Sequence, residues 1–343
     1  MKLCLSMGPG GATYKIPMEK ILRAEALGYD SVWTAETYGP DALTPLAYIA
    51  ALTKKIKLGT GIAHIDSRTP ANLAMMSMTI DMLAGGGRMI LGIGVSGPQI
   101  VEGWLGRPWG RPNYRLRDTV AICRKVWRRE YVEHHGKEIE LPYRGPGSVG
   151  LGKPLKTFMH PLAPIPIYIG ADTPLNIRMA GEVADGLLPM HLTPGRTKEV
   201  IGLLKEGFAR RTDGMKWEDF AVKGGVGVRI TDDVKGGLAA EKQHIALYAG
   251  GMGAKSINFH KEAMVKRGYG EAAERIQELF LAGRREEAEA AVPDEYVDEE
   301  YLIGPVERIK ERWPAWRDSG MTHIGVRPGP MEVIELMAKL ANS

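Results

Sequence analysis

Side chains able to do chemistry stand just beyond short apolar runs of this sequence. After SVWTA come Glu36 and Thr37. A carboxylate there could act as a base or accept a hydrogen bond from a ligand, or it could simply complement a helix N-terminus. In KLGTGIAHIDSRTP, Gly59 and Gly61 interrupt an apolar run, which marks a bulge, a close approach of backbone to ligand, or a plain bend. His64 follows two residues after Ile62. An imidazole titrates near 6.5 and can give or take a proton at neutral pH, though a lone histidine is as often a structural residue. Asp66 and Arg68 lie just beyond, and Arg68 could hold an anion or serve as a loop cation.

LGIGVSGPQIVEGW supplies Gly94, Ser96 and Gly97, whose backbone N–H groups can meet a ligand, with Gln99 and Trp104 able to hydrogen-bond and stack. A Gly-Pro pair can also make nothing more than a turn. In IYIGADTPLN, Asp172 or Thr173 can cap the helix that Pro174 starts, leaving free N–H groups for a phosphate. His160 and His191 lack the paired spacing of a zinc site, so no metal is expected.

The elements that position these residues alternate. Strand patterns at 2–7, 31–35, 56–62, 88–94, 165–170, 186–189, 223–230 and 323–327 are interleaved with helical ones, which implies a parallel sheet. The simplest container is an α/β fold of the (β/α)8, or TIM, barrel type, forming a single domain over 1–343 with insertions after strands 4 and 7. Residues 96–112 form a Gly/Pro/Trp-rich loop. The stretch 130–163 is an insertion with a small hairpin, and 231–303 is a helical insertion. A doubly wound open sheet is disfavoured because no G-x-G-x-x-G opens the first helix. In a barrel, chemistry sits where the strands end, which is where the residues above fall.

Composition narrows the partners. Hydrophobic residues at 44% and charged residues at 25% are globular values, and 43 Gly with 22 Pro stay below the low-complexity range. Lys and Arg number 45 against 41 Asp and Glu, a formal +4 too scattered for a polyanion-binding face, so nucleic acid is not the expected partner. Two cysteines make no disulfide framework, and no window approaches the roughly eighteen apolar residues of a membrane span. A cytoplasmic protein acting on a small molecule, without a membrane, is expected.

Taken together, DSVWTAE, KLGTGI with SRTPANLA, RMILGIGVSGPQIVEGWLG and IPIYIGADTPLNIRMAGEVADGLLP resemble the bacterial luciferase-like superfamily, in its branch that uses the deazaflavin coenzyme F420. The resemblance implies a deazaflavin ring held at the C-terminal ends of the strands, with a non-proline cis peptide at Gly61-Ile62 against it. It implies that Glu36 contacts cofactor or substrate and that Gly170, Ala171, Asp172 and Thr173 hold the cofactor phosphate. Glu36, Gly61, Ile62, His64, Gly94, Val95, Ser96, Gly97 and the Gly170–Thr173 turn are then the expected cofactor-binding residues. Two positions that are catalytic in the sugar phosphate dehydrogenases of this branch hold Thr37 and Gly97 here. By elimination, His64 and Glu36 are the expected catalytic groups. An F420-dependent oxidoreductase transferring hydride to or from an organic substrate is implied, as a homodimer. An FMN-dependent monooxygenase and a non-catalytic flavin-binding protein are the alternatives.

Overall fold

The protein is described by a computed structural model over residues 1–8, 12–252 and 258–342. Eight strands pair in parallel: β1 (Lys2–Ser6), β2 (Ser31–Thr34), β3 (Lys57–Thr60), β4 (Met89–Gly94), β5 (Ile167–Gly170), β6 (Gly186–Leu188), β7 (Ala221–Ile230) and β8 (His323–Val326). Because β8 pairs with both β1 and β7, and β7 with β6, the sheet closes on itself as a (β/α)8 barrel. Parallel neighbours need crossovers. Each crossover here carries a helix, from Met18–Ala26 after β1 to Met331–Asn342 after β8. Proline at the first turn and a threonine side chain accepting from Asn72 N or Asn176 N start the helices Pro70–Leu83 and Pro174–Val183.

Alternation along each strand divides the buried residues into two sets. Leu5, Val32, Leu58, Leu91, Ile167, Val222 and Ile324 face the helices and form the main core. Cys4, Trp33, Ile90, Tyr168, Leu188 and Ala221 fill the barrel lumen, where the rings of Trp33 and Tyr168 stack at 5.6 Å. Glycine makes room for both rings: a Cβ on Gly59 would lie 2.5 Å from Trp33, and one on Gly186 would lie 2.7 Å from Tyr168.

The insertions fall where the sequence places them, with internal differences. Residues 96–112 contain the short helix Pro98–Gly103, and 130–163 holds a hairpin pairing His134–His135 with Glu140–Leu141. The segment 231–303 is not wholly helical. Its end runs into the strand Tyr301–Gly304, which pairs with Gly227–Ile230 because β7 is ten residues long and outruns the barrel. Its helices bury Leu238, Ile245, Ile276, Leu279 and Tyr296 in a core of their own. Residues 253–257 of this insertion lie outside the described residues. No helix among the described residues is long and apolar enough to cross a membrane.

Candidate functional site

The third barrel strand breaks after Thr60 and resumes as Ala63–His64, ending earlier than the sequence pattern suggests. Gly59 stands opposite Ile90 and Ala63 opposite Ile93, so this strand uses four residue steps where β4 uses three. That is a bulge of one residue. Thr60 bridges the gap, its Oγ1 donating to Gly92 O at 2.7 Å and accepting from Gly92 N at 2.9 Å. The Gly61-Ile62 peptide within the bulge is cis, as expected. Ile62 packs against the lumen cluster between two glycines. A Cβ on Gly170 would lie 3.0 Å from its Cγ2, and one on Gly94 would lie 3.1 Å from its Cδ1. A shelf lined by backbone and one isoleucine results, at the end of the barrel where the strands terminate.

Glu36, just beyond β2, holds this bulge from the side. Oε1 accepts from His64 N (2.9 Å), Ser67 Oγ (2.9 Å) and Arg68 Nη1 (2.8 Å), and Oε2 accepts from Ala42 N (3.0 Å). Burial alone would raise this carboxyl's pKa, but the hydrogen bonds from Arg68, His64 N and Ala42 N bring it below the usual carboxylate range. A carboxylate with its acceptors committed in this way positions its neighbours and is poorly placed to carry a proton. Arg68, open between two roles in the sequence, is the ion-pair partner of Glu36 and also reaches Asp41 at 3.5 Å.

His64 shares the lumen face of the strand with Ile62 and pairs across to Gly94. It is buried, and burial is the main cause of a lowered pKa, so its ring is neutral at pH 7. No hydrogen bond joins that ring to another described residue.

Beyond β4, Ser96 takes the left-handed conformation with φ 58. Such strain in a non-glycine residue gathers at functional sites. The side chain of Val95 packs with the outer core, leaving only its backbone for a ligand, and Ala171 is likewise in the outer core. Trp104 is 67% exposed. Of the two candidate caps after β5, Thr173 caps the helix through Asn176 N, while Asp172 Oδ1 accepts from Met190 N at 2.8 Å. Burial raises the Asp172 pKa to about 6, opposed by His191, Met190 N, Arg196 and Lys266. The Asn176 Oδ1 in the first turn of the helix is buried without a hydrogen-bond partner.

The structure thus brings together Glu36, Gly61, Ile62, His64, Gly94 and Gly170 around one shelf, with Ser96, Gly97 and the Asp172–Thr173 turn along its rim. One feature escaped the sequence reading. Lys223 of β7 reaches through the lumen to within 3.1 Å of Ser6 Oγ and lies 4.8 Å above the Trp33 ring. Burial lowers its pKa, and no carboxylate among the described residues pairs with it. The signal was available as a lone cation in the otherwise apolar and glycine run AVKGGVGV. The insertion after β7, expected to line the pocket, covers the mouth. Tyr38 beyond β2 hydrogen-bonds Met252 Sδ, Gly97 beyond β4 faces Phe259, His191 beyond β6 meets His260, and Arg327 beyond β8 donates to Tyr301. A cavity of about 960 Å³ opens instead at the opposite end of the barrel, where Arg124 and Arg211 among its lining are already paired with Asp185 and Asp213.

The closed parallel barrel thus carries a bulge in its third strand, a glycine-framed shelf and, beside it, the N-terminus of the helix Pro174–Val183, all at the end where its strands terminate. The family model for luciferase-like monooxygenases matches residues 6–323, and the chain belongs to that family. It is 41% identical over 343 residues, 99% of each chain, to a Mycobacterium tuberculosis protein provisionally named a coenzyme F420-dependent oxidoreductase. Among solved structures, the F420-dependent tetrahydromethanopterin reductase of Methanopyrus kandleri superimposes with a TM-score of 0.75 at 21% identity, covering 99% of this chain and 98% of that one. An F420-dependent secondary alcohol dehydrogenase gives 0.74 at 16%, covering 99% and 97%.

Proposed function

We propose that the protein is an F420-dependent oxidoreductase that moves a hydride between the deazaflavin and a small organic molecule. The observation that carries this reading is the shelf at the strand-three bulge, where Ile62 lies between Gly94 and Gly170. The full-length likeness to the mycobacterial relative favours deazaflavin over FMN.

The residues present fit such a group. Gly94 and Gly170 leave the shelf free of side chains on either side of Ile62, and a flat ring needs that clearance. The N-terminus of Pro174–Val183, with Arg196 and Lys266 close enough to act on Asp172, suits a phosphate. When bound, F420 supplies the hydride acceptor or donor. Gly61, Ile62, Gly94, Val95, Ser96 and Gly97 would hold its ring, and Gly170 to Thr173 its phosphate. Glu36 positions the bulge through His64 N and Arg68. His64, neutral and beside the shelf, orients ring or substrate by a hydrogen bond. The insertion after β7 covers the mouth and would limit the access of water, and hydride transfer from a bound deazaflavin calls on the protein chiefly for positioning. Two free, buried cysteines suit a reducing compartment, and we place the protein in the cytoplasm.

The family model's description favours one second reading, an FMN-dependent monooxygenase. Anaerobic incubation with oxidised or reduced F420 and a panel of small alcohols and carbonyl compounds separates the two. The deazaflavin absorbance should change without oxygen in the presence of a substrate. Turnover seen only with reduced FMN, and consuming oxygen, would overturn the proposal.

A further inference from the structure

Where the insertion meets the loop after β6, three ionisable side chains from distant parts of the chain form one line of hydrogen bonds. Glu300 Oε1 lies 2.9 Å from His191 Nδ1, and His191 Nε2 lies 2.9 Å from His260 Nδ1. Each member is fixed by its own element. His191 sits in the left-handed region at φ 50, a conformation that a non-glycine residue adopts only where its surroundings enforce it. His260 opens the helix Phe259–Lys266, where Asn258 Oδ1 accepts from its backbone N–H and Asn258 Nδ2 donates to the Tyr248 and Ala249 carbonyls. Glu300 ends the helix Asp294–Glu300 and also accepts from Arg267. A contact that only fastened the insertion to the barrel could be apolar. This one engages three partly buried polar side chains and a residue in the left-handed region.

All three members are partly buried, Glu300 the more covered at 11% against 24% for His191. Glu300 has Arg267 beside it, and Asp172 and Arg267 both act on His191. The His260 ring packs edge-on to Tyr248 at 4.6 Å, and the His244 ring also packs on Tyr248 at 4.4 Å. His260 is only partly buried, and its Nε2 makes no hydrogen bond to a described residue.

We propose that Glu300, His191 and His260 form a proton relay whose port, His260 Nε2, exchanges a proton with a substrate oxygen at the barrel mouth. The relay rests on the oxidoreductase reading above. Its bookkeeping follows from which atoms can donate. A carboxylate only accepts, so His191 Nδ1 keeps its hydrogen and donates it to Glu300. While His191 is neutral, His260 Nδ1 donates to His191 Nε2, and His260 Nε2 offers a lone pair. A proton arriving there sends the Nδ1 proton across to His191. The positive charge comes to rest on His191 beside Glu300, and His260 is neutral before and after. In the oxidising direction, an alcohol loses its C–H hydrogen as hydride to the cofactor and its O–H proton to His260, and becomes a carbonyl; reduction runs the same steps backwards. The local fields have the sign this needs. Burial opposes charge on His191, but Glu300 and Asp172 outweigh it and raise that pKa. Burial together with His191 and His244 lowers the pKa of His260 to about 3.

The test needs no cofactor. Long-range proton–nitrogen spectra of protein labelled with 15N in its imidazoles, assigned with His191→Gln and His260→Gln, report tautomers directly. His191 should titrate above the ordinary value of about 6.5. His260 should stay neutral and switch from the Nε2–H to the Nδ1–H tautomer at the same midpoint as His191. In Glu300→Gln that midpoint should fall by a pH unit or more, taking the His260 switch with it. A His260 that itself gains charge near pH 6.5, or that keeps one tautomer while His191 titrates, overturns the relay. With any substrate found by the anaerobic screen, His260→Gln should lower kcat by roughly 10²-fold with KM little changed, and unchanged kcat also overturns it. If F420 fails to bind, the cofactor reading falls while the tautomer result stands by itself.

Discussion

Replacing Glu36 with alanine separates a residue that holds the bulge from one that carries protons. The change strips the buried Ala42 and His64 N–H groups of their acceptor and removes the main partner of Arg68, which keeps only Asp41 at 3.5 Å. An unpaired buried N–H costs about 1–3 kcal/mol, and breaking a buried ion pair costs about 3–5 kcal/mol. These losses overlap around one carboxylate, so about 4–6 kcal/mol is expected for the whole. For 343 residues the entropy of unfolding is about 0.7 kcal/mol/K, which turns that loss into a fall in Tm of about 6–8 °C. The pH dependence has a definite sign. The Glu36 pKa is lowered in the folded protein, so its contribution is full above the unfolded value of about 4.3 and fades as pH falls through the folded one. Thermal melts of both proteins should differ most at neutral pH and converge well below pH 4. A difference under about 2 °C at pH 7, or one that grows on acidification, would refute this account of Glu36.

Three further outcomes follow from the same geometry. Lys223→Met should keep or raise Tm, because a base with a lowered folded pKa carries a penalty at pH 7 that the substitution removes; a clear loss in Tm would show that the ammonium is needed for folding. Gly170→Ala adds a methyl 3.0 Å from Ile62 Cγ2, so F420 affinity should fall by roughly tenfold with the circular dichroism spectrum unchanged, and wild-type affinity would show that the shelf is not where the ring binds. We also propose a homodimer. The strap at 143–162 leaves Val149, Leu151, Leu155 and Phe158 more than half exposed, and such patches mark interaction sites. Sedimentation should find a dimer at micromolar concentration that Phe158→Glu weakens, and a monomeric wild type would dismiss it.

How much of this was legible depended on whether the cause was local. Eight apolar runs separated by helical patterns determine a barrel, and the rule that chemistry follows strand ends located Glu36, Gly94 and Gly170. The glycines at 59 and 61 pointed to a bulge, a close approach or a bend inside an apolar run, and the structure has the bulge, with Gly59 also making room for the Trp33 ring. What Glu36 does was not legible. Its partners Ala42, His64 and Arg68 lie 6 to 32 positions away and meet it only once β2 and β3 are paired. The same holds for His191, which finds His260 69 positions on and Glu300 109 positions on, through an insertion whose packing no periodicity encodes. The strand Tyr301–Gly304 was absorbed into a helical reading because its partner is the overhanging half of β7, a length that a pattern of alternation does not disclose.

The claim that the shelf belongs to a deazaflavin is tested most directly by fluorescence titration of the protein with F420 and with FMN under identical conditions. The account predicts micromolar or tighter binding of F420 and FMN weaker by at least about tenfold, a gap of roughly 1.4 kcal/mol. Equal affinities, or tighter binding of FMN, would contradict it.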